Sequence, residues 1–142
     1  MKVEGSVGLV TGGASGLGAG VALYLLERGA RVAILDQNLE GTDALVDQFG
    51  DLVSCHQCDV TDSAQVEEAV SGAAEVHERL DLLVSFAGSS FGKRVISRDG
   101  DPHPLDYSQK HSHINLGGLL DVLRPTVAVI PNNESPEAGE RG

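Results

Sequence analysis

Basic residues are scarce in this sequence. Ten lysines and arginines face 21 aspartates and glutamates, for a formal net charge of −11. Nucleic acids and anionic membranes are both held by a basic footprint, so neither is an expected partner. Long apolar runs are missing too, and nothing approaches the ~20 residues that span a bilayer. The N-terminus enters a strand pattern with no signal-like apolar region before it, which leads us to expect a cytoplasmic protein. Cysteine is limited to Cys55 and Cys58. Their C-x-x-C spacing falls in an apparent strand, where residues three apart point to opposite faces. A zinc site would need two more ligands, and there is no second pair. A redox pair would draw on a helix N-terminus or a nearby cation. We read both cysteines as structural and expect no metal site.

What is present suits one compact domain. The 142 residues are 41% hydrophobic and 22% charged, close to globular averages and far from disordered composition. The expected division is an incomplete domain over residues 1–131 and a polar tail over 132–142.

Strand and helix patterns alternate along the chain. Ser6–Thr11 is a short apolar run ended by glycines, a buried strand. Gly16–Arg28 has helical spacing, with Leu17, Val21 and Leu25 on one stripe and Ala22 and Leu26 beside it. Arg31–Asp36 predicts a second strand, Leu39–Phe49 a short helix and Leu52–Gln57 a third strand. Asp62 reads as a helix N-cap with Gln65 in capping-box position. Val66, Ala69, Val70, Ala73, Val76 and Leu80 keep helical period after it, and Asp81–Phe86 predicts a fourth strand. Residues 88–104 read as a long loop. A last helix starts near Asp106 as its cap, with Pro125 expected to kink or end it at about 3 kcal/mol. Strands separated by helices imply an α/β fold: a parallel sheet with helices on both faces, plus a further helix.

The turn between the first strand and first helix, Thr11–Gly18, reads T-G-G-A-S-G-L-G. Glycines in such a turn let the chain reverse tightly, approach a pyrophosphate and pack helix on strand. The helix N-terminus offers free N–H groups and a positive dipole end to phosphates. Gly12, Gly16 and Gly18 are placed for these tasks, and Ser15 and Leu17 lie among them. Asp36 ends the second strand, where the ribose of a bound dinucleotide would lie. A carboxylate there accepts hydrogen bonds from ribose hydroxyls and repels a 2′-phosphate. Ala14 and Gln37 supply no cation for such a phosphate. NAD, rather than NADP, is the expected cofactor.

These residues together resemble the N-terminal part of the short-chain dehydrogenase/reductase family, which implies the first half of a Rossmann-type sheet in order 3-2-1-4. Thr11–Gly18 is similar to that family's T-G-x-x-x-G-x-G loop, and Asp36 to its NAD-selecting acid. Asp59-Val60 resembles the family's step against the adenine, which implies that the Asp59 side chain contacts the base edge. Ala87-Gly88 resembles the end of the N-N-A-G motif, and Asn115 the helix asparagine that supports the proton relay. The loop wording, the insertion at 89–106 and the N-L-x-G-x-x-x-V-L-R pattern at 115–124 are similar to the type 2 3-hydroxyacyl-CoA dehydrogenases within the family. The resemblance implies hydride transfer between NAD and a secondary alcohol or ketone, with a 3-hydroxyacyl-CoA as leading small-molecule substrate. It also implies a homo-oligomer through the helix at 106–124, with Leu116, Leu119, Leu120 and Leu123 partly exposed.

Departures from the pattern keep other readings open. Ser85-Phe86 stands where the motif has two asparagines. No position matches the family's catalytic Ser or its Tyr-x-x-x-Lys, the pair whose tyrosine works as acid/base. Tyr107 and Lys110 are one residue too close and precede Asn115. His111 and His113 share no helix face, and His56, His77 and His103 have no partners visible in the sequence. The alternatives are an NAD-binding module or pseudoenzyme without turnover, and a non-functional truncated fragment. On the oxidoreductase reading as on these alternatives, this chain alone is expected to be inactive.

Overall fold

The computed structural model describes residues 2–90 and 92–130, so the polar segment at 132–142 lies outside the described residues. Four strands, β1 (Val7–Thr11), β2 (Arg31–Asp36), β3 (Val53–Gln57) and β4 (Leu82–Ser85), form one parallel sheet in the order β3-β2-β1-β4. The helices are α1 (Gly16–Leu26), α2 (Asp43–Phe49), α3 (Ser63–His77), α4 (Leu105–Ser112) and α5 (Leu119–Val129). The expected strand order is therefore the observed one.

Alternation along the central strands divides the core in two, as the two-residue period requires. Val7, Leu9, Ala33 and Leu35 face α3 and α5, packing with Val66, Ala69, Val70, Ala73 and Val122. Val10, Val32 and Ile34 face α1 and α2, packing with Ala22, Leu25, Leu26 and Leu45. Helices thus cover both faces. Cys55 packs on the second side and the buried Cys58 on the first, and both are free thiols. The start of β4 is pinned beside β1. Asp81 Oδ2 accepts from Val7 N at 2.8 Å while its carboxylate takes Arg79 Nε at 2.9 and 3.1 Å. Among the described residues no helix is long and apolar enough to cross a membrane.

Several local expectations are corrected. Leu17 leaves the α1 stripe and is 77% exposed, because the first turn of α1 overhangs the end of the sheet. Residues 38–42 are not helical. Asn38 Oδ1 accepts from Glu40 N, and Thr42 Oγ1 donates to Leu39 O at 2.7 Å, so side chains satisfy a turn instead and α2 starts at Asp43. On α3 the buried position is His77, whereas Val76 is solvent-facing. Asp62 caps α3 as expected, accepting from Ala64 N and Gln65 N. Gln65 does not close the box onto the cap amide: its Oε1 takes the Asp59 N–H at 3.0 Å. Pro104, not Asp106, caps α4. Pro125 does not end its helix. α5 runs on to Val129, and the Val122 and Thr126 side chains around the proline are wholly buried, with Thr126 Oγ1 donating to Val122 O. Packing on α3 offsets the proline's lost hydrogen bond.

Candidate functional site

The C-terminal ends of β2, β1 and β4 open on a cleft of about 430 Å³. β1 connects through α1 on one face of the sheet, and β3 connects through α3 on the other. Ligands of open α/β sheets bind where connections diverge in this way. The cleft is walled by Gly12 and Ser15–Gly18, by Leu35 and Asp36 at the end of β2 and Gln37 after it, by Cys58 and Val60 after β3, by Phe86–Ser89 after β4, and by Ile114.

Two glycines make the turn possible. Gly12 has φ +65°, and a Cβ there would lie 2.8 Å from Ala87 N, so the loop after β4 rests directly on it. A Cβ on Gly18 would overlap the Gly12 carbonyl. The first turn of α1 is therefore seated on the glycine turn, backbone to backbone. Ser15 caps α1 in an extended conformation without a side-chain cap hydrogen bond. The helix N-terminus and its partial positive charge face the cleft.

Asp36 stands at the other wall. Its Oδ2 accepts from Ala14 N at 3.1 Å and its Oδ1 from Asn38 N at 3.2 Å. Two backbone amides fix the carboxylate, and each oxygen retains an acceptor site. Among the described residues that line the cleft, Asp36 carries the sole formal charge.

Asp59 and Val60 divide their roles. Asp59 Oδ1 accepts from the Thr61 amide at 2.9 Å and its hydroxyl at 2.7 Å, and these bonds hold the carboxyl below the usual carboxylate range. That carboxylate organises its own turn, and the wall is formed by Val60, which packs against Gly118. Burial and the nearby carboxylates of Asp59, Asp62 and Asp121 push the Cys58 thiol up to about 11.

The far end of the cleft is built by the segment after β4. Thr11 Oγ1 lies 3.1 Å from Ser85 Oγ and accepts from Ala87 N at 3.2 Å. Phe86 N donates to Thr11 O, and the Phe86 side chain is 40% exposed on the cleft wall. Asn115 sits on a π-helical stretch (His113–Gly118) between α4 and α5. Its Oδ1 accepts from Ser89 N at 2.8 Å and its Nδ2 donates to Ser89 O at 3.0 Å, clamping the segment on both sides. Asn115 itself does not line the cleft; its neighbour Ile114 does.

Some relationships were not visible in the sequence. Ser89 Oγ lies 3.0 Å from His111 Nδ1. Ser54 Oγ lies 2.9 Å from His77 Nε2 and 3.0 Å from His56 Nε2. His103 packs edge-on against Tyr107, and the Lys93 ammonium sits 3.7 Å above the Tyr107 ring. The Ser89–His111 and Ser54–His77 pairings cross elements, and no local spacing signals them.

Sheet order, glycine turn and strand-end acid define a Rossmann-type domain with a cleft shaped for an extended, phosphate-bearing ligand. The family model for short chain dehydrogenases matches residues 6–137, and the chain belongs to that family. Human 3-hydroxyacyl-CoA dehydrogenase type-2 is 32% identical over 142 residues, 99% of this chain and 54% of that protein. D-threitol dehydrogenase of Mycolicibacterium smegmatis is 43% identical over 90 residues, 61% of this chain and 35% of that one. Among solved structures, 3-hydroxyacyl-CoA dehydrogenase type-2 from Mycobacterium avium superposes with a TM-score of 0.84 at 31% identity, covering 97% of this chain and 54% of the other. The 3-ketoacyl-(acyl-carrier-protein) reductase from Brucella melitensis complexed with NADH gives 0.77 at 26% identity, covering 92% and 52%. The chain spans from a third to just over half of the length of these relatives.

Proposed function

We propose that the cleft binds NAD, and that the activity it serves is hydride transfer between NAD and a secondary alcohol or ketone, with a 3-hydroxyacyl-CoA as leading substrate. The observation that carries the cofactor choice is Asp36. A carboxylate fixed by the Ala14 and Asn38 amides keeps acceptor sites for two ribose hydroxyls and opposes a 2′-phosphate. No lysine or arginine occurs among the described lining residues to offset that opposition. Gly12, Gly16, Gly18 and Ser15 would receive the pyrophosphate at the α1 N-terminus, with Leu17 overhanging it. Val60 would flank the adenine, Asp59 would support that turn, and Ala87 and Gly88 would back the other half. When bound, NAD supplies the hydride-accepting ring; the residues here bind and orient it. The substrate reading rests on the likeness to 3-hydroxyacyl-CoA dehydrogenases along almost the whole chain. Fluorescence titration should give NADH at least about tenfold tighter than NADPH, the worth of one charged hydrogen bond. Tighter NADPH binding overturns the assignment.

A second reading, cofactor binding without turnover, is favoured by Ser85-Phe86 and by the lack of a Tyr-x-x-x-Lys in the 142 residues. On it, this chain binds NADH but does not oxidise a 3-hydroxyacyl-CoA, and NAD-linked turnover by the purified chain rejects it. A non-functional fragment would lack a cooperative thermal transition. The apolar side formed by Leu116, Leu119, Leu120 and Leu123, all 38% exposed or more, is the surface we assign to a second copy of the chain. Sedimentation of wild type against Leu120→Glu tests it.

A further inference from the structure

The cleft has two ends. Asp36, the last residue of β2, marks one, and Ser89, after β4 on the far side of β1, marks the other. Ser89 is fixed twice: Asn115 clamps its backbone, and its hydroxyl meets His111 Nδ1 at 3.0 Å. The other ring nitrogen, His111 Nε2, is shielded from solvent. The imidazole therefore acts on the cleft through Nδ1 and the serine oxygen.

We propose that Ser89 and His111 form a proton-linked contact for the dinucleotide, Ser89 touching the ligand beyond its first ribose and His111 setting which way the hydroxyl points. The proposal rests on the dinucleotide reading of the cleft. With His111 neutral and Nδ1 bare, the serine hydrogen is spent on the imidazole, and the cleft meets only oxygen lone pairs. With Nδ1 protonated, the imidazolium donates to Ser89 Oγ, and the serine hydrogen turns to the ligand. One proton thus converts an acceptor into a donor and adds a positive charge behind it.

The sign of the effect follows from the surrounding charges. No cation lines the cleft among the described residues, so the pyrophosphate would be met by neutral donors, the backbone N–H groups and Ser15, with no cationic side chain. An imidazolium at this end strengthens anion binding. NADH carries one more negative charge than NAD+, so it gains more. Other groups around His111 are Tyr107 on its own helix, whose ring centroid is 6.1 Å away, and Lys93 and His103 of the preceding loop, both packed on Tyr107. Lys110 and His113 are its neighbours along the chain. These groups are retained in the variants below.

The test is Kd for NADH by fluorescence, and for NAD+ by competition, across pH 5.5–8, the range in which histidines titrate. Wild type, His111→Gln and Ser89→Ala are compared, with far-UV circular dichroism confirming the fold of each. NADH should bind wild type on the order of threefold tighter at the acid end, a screened charge effect, and NAD+ should gain less. The slope should vanish in His111→Gln and shrink in Ser89→Ala. A flat wild-type profile with intact NADH binding overturns the pair and leaves the cofactor reading standing. So does a slope that persists in His111→Gln. Absence of NADH binding at every pH overturns both.

Discussion

His77 Nε2 lies 2.9 Å from Ser54 Oγ, at a point where helix α3 crosses strand β3. His56 Nε2 reaches the same hydroxyl from two residues along the strand at 3.0 Å. A serine has one hydrogen to give, so it donates to one imidazole and accepts from the other. The ring that accepts must be neutral with its Nε2 bare, and the other must carry a hydrogen on Nε2.

This arrangement fixes a pH dependence. Burial pushes both histidines below their ordinary value, and for His77 the Arg31 charge adds to it. The unfolded chain binds these protons more readily than the folded one. Stability is therefore full above the ordinary histidine value of about 6.5 and falls as pH drops through and below it. Urea unfolding midpoints at pH 5.5 and 7.5 should show the loss. Ser54→Ala strands the buried His77 nitrogen and should cost about 1–3 kcal/mol at pH 7.5.

Asp36→Ala removes the acceptor of two backbone amides as well as the groups proposed to hold the ribose. NADH affinity should drop by about tenfold or more, and the preference over NADPH should collapse. Parallel titrations with the two cofactors measure both effects. A variant that still prefers NADH as wild type does would place the selecting group elsewhere.

Gly18→Ala drives a methyl into the Gly12 carbonyl, a backbone atom that cannot yield without moving the turn. The expected loss is about 2–3 kcal/mol of stability together with cofactor binding. Gly20→Ala, which meets open space on the same helix, should be neutral or slightly stabilising. Comparing the two unfolding midpoints isolates the close approach from helix propensity.

Cys58, with its thiol near 11, holds on the order of one part in a thousand thiolate at pH 8. Its reaction with an aromatic disulfide reagent should be slow and should rise with pH toward that value. Because Cys58 lines the cleft, saturating NADH should slow it further. Fast labelling of Cys58 at pH 7 would contradict the burial.

Strand ends and the glycine turn were readable because each is a local signal, and the sheet order came with the family that those residues resemble. Alternation along β1 and β2, the breaks at Gly12 and Gly29, and the cap at Asp62 all act within a few residues. The misplacements have local physics too. Leu17 has helical period but lies exposed at the start of α1, and residues 39–42 leave the expected helix because the Asn38 and Thr42 side chains hydrogen-bond the local backbone in a turn. His77 replaced Val76 because a hydrogen bond to Ser54 makes a polar residue acceptable inside. That bond, like Ser89 to His111, joins residues more than 20 positions apart, and a single sequence holds no trace of it. The continuation of α5 through Pro125 was hidden for the same reason, since α3 provides the packing.

The cleft also bears on how the chain holds together. Its walls come from β2 on one side of β1 and from the segment after β4 on the other, and among the described residues β4 pairs with the sheet along β1 alone. A molecule seated there grips both at once, as a removable brace between the central strands and the outermost one. Its binding energy then counts toward keeping β4 docked, with a gain of about 2.7 kcal/mol at a hundred times Kd.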